Sequence, residues 1–252
     1  MFQYKQITDV LGRQILDGRG LPALEVEILG EDGETGRGAV SLNGPEEYME
    51  ELAESLALLI NTEIADMLIG ENLLAQSHVD QILERIAGTA GENAARKSAV
   101  RAVSCVTART ASESLGIPLY QYLGGVQVQS IPLVRICIPE EKQPGAQCQM
   151  RMEKWKEYYK KTEIGSASRE ERNEKRMRSD EYVTVTQCLK QIHTWKKQKT
   201  EPIVMKDMEY AVDAFLVNLA VAAGVDVLEL RPPVRGENTV KYTQLMRILE
   251  HL

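Results

Sequence analysis

The sequence predicts an α+β first half followed by a second half in which strands and helices alternate, and three patterns carry that prediction. Leu24, Val26 and Ile28 alternate with Glu25 and Glu27, the two-residue period of a strand with one wet face. Leu52, Leu56, Leu59, Ile60, Ile64 and Met67 recur every three or four residues, the period of a helix with one buried face. Residues 202–205, 209–223, 225–230 and 237–252 then read strand, helix, strand, helix, as in a parallel sheet or barrel.

Taken in order, residues 4–11 favour strand, and Glu31-Asp32-Gly33-Glu34 reads as a hairpin turn before a return strand at Gly38-Ala39-Val40. Three strands therefore form an antiparallel meander. Gly70 ends the first helix. Ser77 is expected to cap a second one, with Asp80 three residues on and Val79, Ile82, Leu83 and Ile86 as its buried stripe. A third helix over residues 93–115 is rich in Ala and small side chains, which suits close packing, and Gly116-Ile117-Pro118 stops it. After Gly124-Gly125 the character changes. Residues 131–138 read as a strand, and Cys148, Met152, Trp155 and Tyr159 form a helical stripe, as do Tyr182, Val185, Leu189, Ile192 and Trp195. Between the stripes, residues 163–179 (EIGSASREERNEKRMRS) are polar and read as a mobile linker or a solvated helix. The expected division is an N-terminal domain over 1–125 and a C-terminal domain over 126–252 with a basic helical insert at 149–201.

Bulk properties exclude several classes. Hydrophobic residues make up 43% and charged residues 27%, as in an ordinary globular protein. A net charge of −7 argues against general nucleic-acid binding. Residues 149–201 reverse that balance locally, with 14 Lys and Arg against 9 Asp and Glu; a solvated helical pair is favoured over an RNA or acidic-partner surface. The start has no basic stretch leading into an apolar run, and the most apolar window, 215–227, falls short of the roughly 20 residues of a membrane span. The four cysteines are far apart, and His78, His193 and His251 match no ligand spacing. A cytoplasmic protein without membrane partners is expected. Asp17-Gly18-Arg19-Gly20 reads as a turn after a strand rather than an anion-binding loop.

Two longer stretches resemble a known family. GRQILDGRGLPALEVEI, from Gly12 to Ile28, is similar to the opening motif of enolases, close to ARQILDSRGNPTVEVEV. LELRPPVRGENTVKYTQLMRILEHL, from Leu228 to Leu252, is similar to the family's closing stretch, close to IKTGAPxRGERxxKYNQLLRIEEEL. Leu68-Ile69-Gly70, Gly88-Thr89, Gly116-Ile117-Pro118-Leu119-Tyr120 and Tyr122-Leu123-Gly124-Gly125 follow in the family's order. The resemblance implies an α+β N-terminal domain, a βα barrel and a dimer. A full barrel of about 250 residues does not fit after Gly125, so the resemblance implies a partial, shrunken barrel of about three strands.

For an intact member it also implies a magnesium ion on three carboxylates, a lysine base and a glutamate acid, and the motifs that deliver these have no counterpart between Val126 and Pro202. Ser41 stands near the family's metal-binding loop serine. Asp207 stands where the family keeps a phosphate-binding arginine, and Glu229 where it keeps a substrate-binding lysine. Near a phosphate each reversal turns an attraction of about 4 kcal/mol into a repulsion. Arg13 and Arg19 are expected to hold a domain or dimer interface. The expectation is therefore a degenerate, non-catalytic member that needs no cofactor and forms a homodimer or a heterodimer with an intact enolase. One alternative is a phosphopyruvate hydratase using Mg²⁺; another is a scaffold using the basic insert.

Overall fold

The computed structural model describes residues 4–88, 94–125, 128, 130–138, 145–166, 173–198 and 200–252. The chain opens with the expected meander: β1 (Ile7–Leu16), β2 (Pro22–Gly30) and β3 (Thr35–Ser41) pair antiparallel in that order. Leu24, Val26 and Ile28 are buried on one face of β2. On the other face the register sets Arg13 opposite Glu25 and Arg37 opposite Glu27, and Glu27 takes ion pairs from both arginines at 2.8 and 2.9 Å. The turn at Asp32-Gly33 needs its glycine, whose φ is +87°.

The helical layer follows. α1 (Met49–Leu59) runs through a π-helical turn (Ile60–Ile64) into α2 (Ala65–Leu68). That turn brings the Asn61 side chain to Gly12, where it accepts from the amide at 2.6 Å and donates to the carbonyl at 2.9 Å. α3 (Gln76–Ala87), α4 (Ala94–Ser114) and α5 (Leu119–Gly124) complete this half. α4 is buried on both sides: Val100, Val103 and Val106 pack under the meander, while Cys105 and Ala108 join the second core. Its small residues permit this. A Cβ on Gly36 of β3 would sit 2.2 Å from Thr110 Oγ1 and 2.8 Å from its backbone nitrogen.

Ser77 does not cap α3, which begins after Ala75 without a side-chain cap. Asp80 instead turns toward the second half. Its carboxylate accepts from the Thr186 amide at 2.8 Å, and Ser104 Oγ accepts from the Val185 amide at 2.9 Å. The first amides of α7 (Val185–Gln198) are thus satisfied by side chains of α3 and α4.

The second half contains β4 (Leu133–Ile138), α6 (Ala146–Tyr158), β5 (Thr162–Ser166), β6 (Lys175–Arg178), α7, β7 (Ile203–Lys206), α8 (Phe215–Ala223), β8 (Val227–Leu230) and α9 (Gly236–Leu249). Its five strands are parallel in the order β5-β4-β8-β7-β6, the order of a barrel opened between β5 and β6. Five strands replace the three expected because the polar stretch at 163–179 is not one linker: its two ends are β5 and β6, and residues 167–172 between them lie outside the described residues. The outer face, with Val134, Ile136, Met177, Ile203, Met205, Leu228 and Leu230, packs on the helices. The inner face carries Arg135, Glu163, Arg176, Lys206 and Glu229. Arg135 on β4 reaches Glu163 on β5, Glu174 beside β6 and Glu229 on β8, so the sheet curls around this charged layer. Charges that pair inside a curled sheet read, in sequence, like charges meant for solvent.

The helix expected from residue 209 starts only at Phe215. Residues 207–214 are irregular instead: the amides of Tyr210 and Ala211 donate to Ser41 and the Tyr210 carbonyl accepts from Gly18, which ties this segment to the first half of the chain.

Candidate functional site at the strand ends

The C-terminal ends of β7 and β8 bring Asp207 and Glu229 side by side, with the Asp207 amide donating to the Glu229 carbonyl at 2.9 Å. Both carboxylates are buried. Asp207 is bonded to the Lys241 ammonium from α9, and Arg231 stands 3.6 Å away. Glu229 accepts from Arg135 at 2.7 Å and from Arg176 at 3.2 Å. Each of these two carboxylates therefore has its own counter-ion. The repulsion expected of two bare carboxylates is offset inside the protein.

Ser41, at the end of β3, meets the segment after β7. Its hydroxyl accepts from the amides of Tyr210 at 2.7 Å and Ala211 at 2.9 Å, and its own amide donates to Glu209 at 2.7 Å. Glu209 also pairs with the buried Arg101 of α4 at 3.1 Å. Burial raises the Glu209 carboxyl above its ordinary range, and Arg101 offsets this only in part. Two turns along α4, Arg109 makes a two-point contact with Asp213 at 2.7 and 3.0 Å. Burial pushes Asp213 up, but Arg109 and the amides of Phe215 and Ala39 outweigh it and hold the carboxyl below its ordinary range.

Arg19 bonds Asp17 and lies over the Tyr210 ring at 4.2 Å, while Arg231 lies over the same ring at 3.7 Å. The Gly18 amide donates to the Tyr210 carbonyl at 2.7 Å. Ser41, Arg19, Asp207 and Glu229 thus gather around one segment. Arg13 does not: it stands on the outer face of the meander with Glu25 and Glu27.

Beside this segment, Cys137, Lys206, Met208, Tyr210, Leu230 and Arg231, with the two buried carboxylates, line a cleft of about 170 Å³. It opens at the C-terminal ends of parallel strands, where barrel enzymes keep their chemistry. Burial, reinforced by Glu229, pushes the Cys137 thiol up to about 11, so it is not a thiolate nucleophile at neutral pH.

Residues 7–123 match the family model described as the enolase N-terminal domain. Over these 117 of its 252 residues the chain is similar to enolases. The magnesium ion that enolases imply does not fit the side chains at this site. Mg²⁺ takes oxygens in near-octahedral array, yet Ser41 Oγ already accepts two amides, and Asp207, Glu209 and Glu229 each face a fixed cation. Among the described residues no three His, Cys, Asp or Glu side chains are placed to hold a metal together. Among the same residues, no helix is long and apolar enough to cross a membrane.

Arg135, Arg176, Glu209 and Tyr210 organise the site without a motif of their own, and Lys241, though it falls in the closing stretch that resembles enolases, is not marked there as the partner of Asp207. The one available clue was a buried-sheet alternation around Arg135 and Glu229, where a charge on an apolar strand demands a partner.

Proposed function

We propose that this chain is a non-catalytic member of the enolase family that works by binding or assembly rather than by dehydrating 2-phosphoglycerate. One observation carries the reading: the carboxylates at the family's cationic positions are each neutralised by an internal cation, Asp207 by Lys241 and Glu229 by Arg135 and Arg176. A substrate dianion needs cations whose charge is not already spent, and its carbanionic transition state needs a metal or several such donors. Ser41, fixed by two amides, has no lone pair left free for a closing loop to offer. The reading extends to a cytoplasmic protein that forms a homodimer or pairs with an intact enolase, with Arg13 and its acidic neighbours on the meander as one candidate contact. The test is turnover: no phosphoenolpyruvate above the buffer control is expected from 2-phosphoglycerate with millimolar Mg²⁺. Light scattering with and without an intact enolase tests the assembly, and a strict monomer that ignores the enolase would exclude it.

A further inference from the structure

The cleft at the strand ends is not an empty remnant. Two of its walls are carboxylates, each paired with a cation from behind, and two cations face the opening: Lys206, and Arg231, which stands 3.6 Å from Asp207. Lys206 ends β7 on the inner face, in register with Glu229, and among the described residues its ammonium makes no hydrogen bond or ion pair. Arg231 donates through Nη1 to the Glu209 carbonyl at 2.8 Å, while its plane is braced against Tyr210. A guanidinium has five N–H donors, and Nη1 supplies only two of them. An ammonium without a hydrogen-bond partner and a guanidinium with N–H groups to spare line the same cleft, a donor set able to take one more acceptor.

The remaining walls restrict what that acceptor is. Met208, Leu230, the protonated Cys137 and the Tyr210 ring are apolar or weakly polar. The space of about 170 Å³ is many times what one water needs, and small for a drug-sized ligand. Asp207 and Glu229 remain in the wall, so a dianion entering here would meet two carboxylates at close range. A single negative charge spread over two oxygens matches the arginine fork at a smaller cost than a dianion. We infer that the cleft binds a small aliphatic monocarboxylate, its carboxylate held between Lys206 and Arg231 and its short chain against Met208 and Leu230. This goes beyond the non-catalytic reading and does not depend on it, because a bound carboxylate is compatible with turnover or with none.

The experiment uses the full chain and two simple probes, butyrate and inorganic phosphate, followed by ligand-observed NMR and by ¹³C-methylated lysine signals. Butyrate should bind saturably in the millimolar range and shift one lysine signal, and the shifted signal should be absent in Lys206→Met. That variant removes a side chain with no partners, so its fold should be intact by circular dichroism. Its butyrate affinity should fall at least about tenfold, the loss of one charge-assisted contact. Phosphate should bind more weakly than butyrate. Arg231→Lys, which keeps the charge but loses the fork, should also weaken butyrate. The inference is overturned if butyrate fails to saturate, if Lys206→Met binds it as wild type does, or if phosphate binds more tightly.

Discussion

The Lys241 ammonium and the Asp207 carboxylate form an ion pair in which the two side chains expose 1% and 0% of their surface. A pair this buried adds little net stability over an apolar one, but breaking it strands a charge. Lys241→Met alone should cost about 3–5 kcal/mol in urea unfolding. The double variant Asp207→Leu/Lys241→Met should lose less than either single change. Additive losses would show that the pair is not coupled as its geometry implies.

The start of α7 depends on side chains far away in sequence. Asp80→Ala and Ser104→Ala each leave one or more of its first amides unsatisfied, and each should lower stability by about 1–2 kcal/mol. Hydrogen exchange should speed up first at Val185 and Thr186. Unchanged exchange there would mean that α7 does not rely on these caps.

Two carboxyls should give opposite pH signatures. Asp213 has a folded pKa below its ordinary 3.8, so its contribution is fully present above that value and is lost as pH falls through the folded pKa. Glu209 has a folded pKa above its ordinary 4.5; its charge, facing Arg101, Lys241 and Asp207, costs stability near neutrality, and that cost is relieved as pH falls from the folded value toward 4.5. The stability advantage of wild type over Asp213→Asn should therefore shrink below about pH 4. Relative to Glu209→Gln, wild type should gain as pH drops from neutrality toward that value. Unfolding profiles that stay parallel for both variants would contradict these assignments.

The contact between meander and α4 gives a steric test. Gly36→Ala would drive a Cβ into Thr110, including its backbone, and overpacking of this kind should cost about 1–3 kcal/mol. Gly36→Ala combined with Thr110→Ala should lose no more than Gly36→Ala if the hydroxyl is the main obstacle. A larger loss in the double variant would place the obstacle in the backbone.

The sequence made the first half legible because its signals are local: the Val26–Glu27 alternation, the Asp32-Gly33 turn and the leucine stripe of α1 each follow from neighbours in the chain. The second half was legible only where strands were apolar, as in 203–206 and 227–230. β5 and β6 read as linker or solvated helix because Glu163 and Arg176 find their partners on other strands, and a polar residue does not announce whether it faces water or an opposite charge. The same limit hid the site. Asp207 and Glu229 stand out only through the resemblance, as carboxylates where it implies cations, but Lys241, Arg135 and Arg176, which neutralise them, lie 34, 94 and 53 residues from their partners. Asp80 serves α7 and not its own helix for a related reason, since a capping residue can serve a helix from anywhere in the fold.

Catalysis decides the central claim. Phosphoenolpyruvate formation from 2-phosphoglycerate should be followed at millimolar Mg²⁺ for wild type, Glu229→Lys and a genuine enolase side by side. The account predicts none from wild type. It predicts none from Glu229→Lys either, which restores a family charge but places a third cation between Arg135 and Arg176 and should unfold at lower urea. Wild-type turnover within about a hundredfold of the enolase control would contradict the account, because loss of acid–base groups alone should cost roughly 10² to 10⁴ in rate.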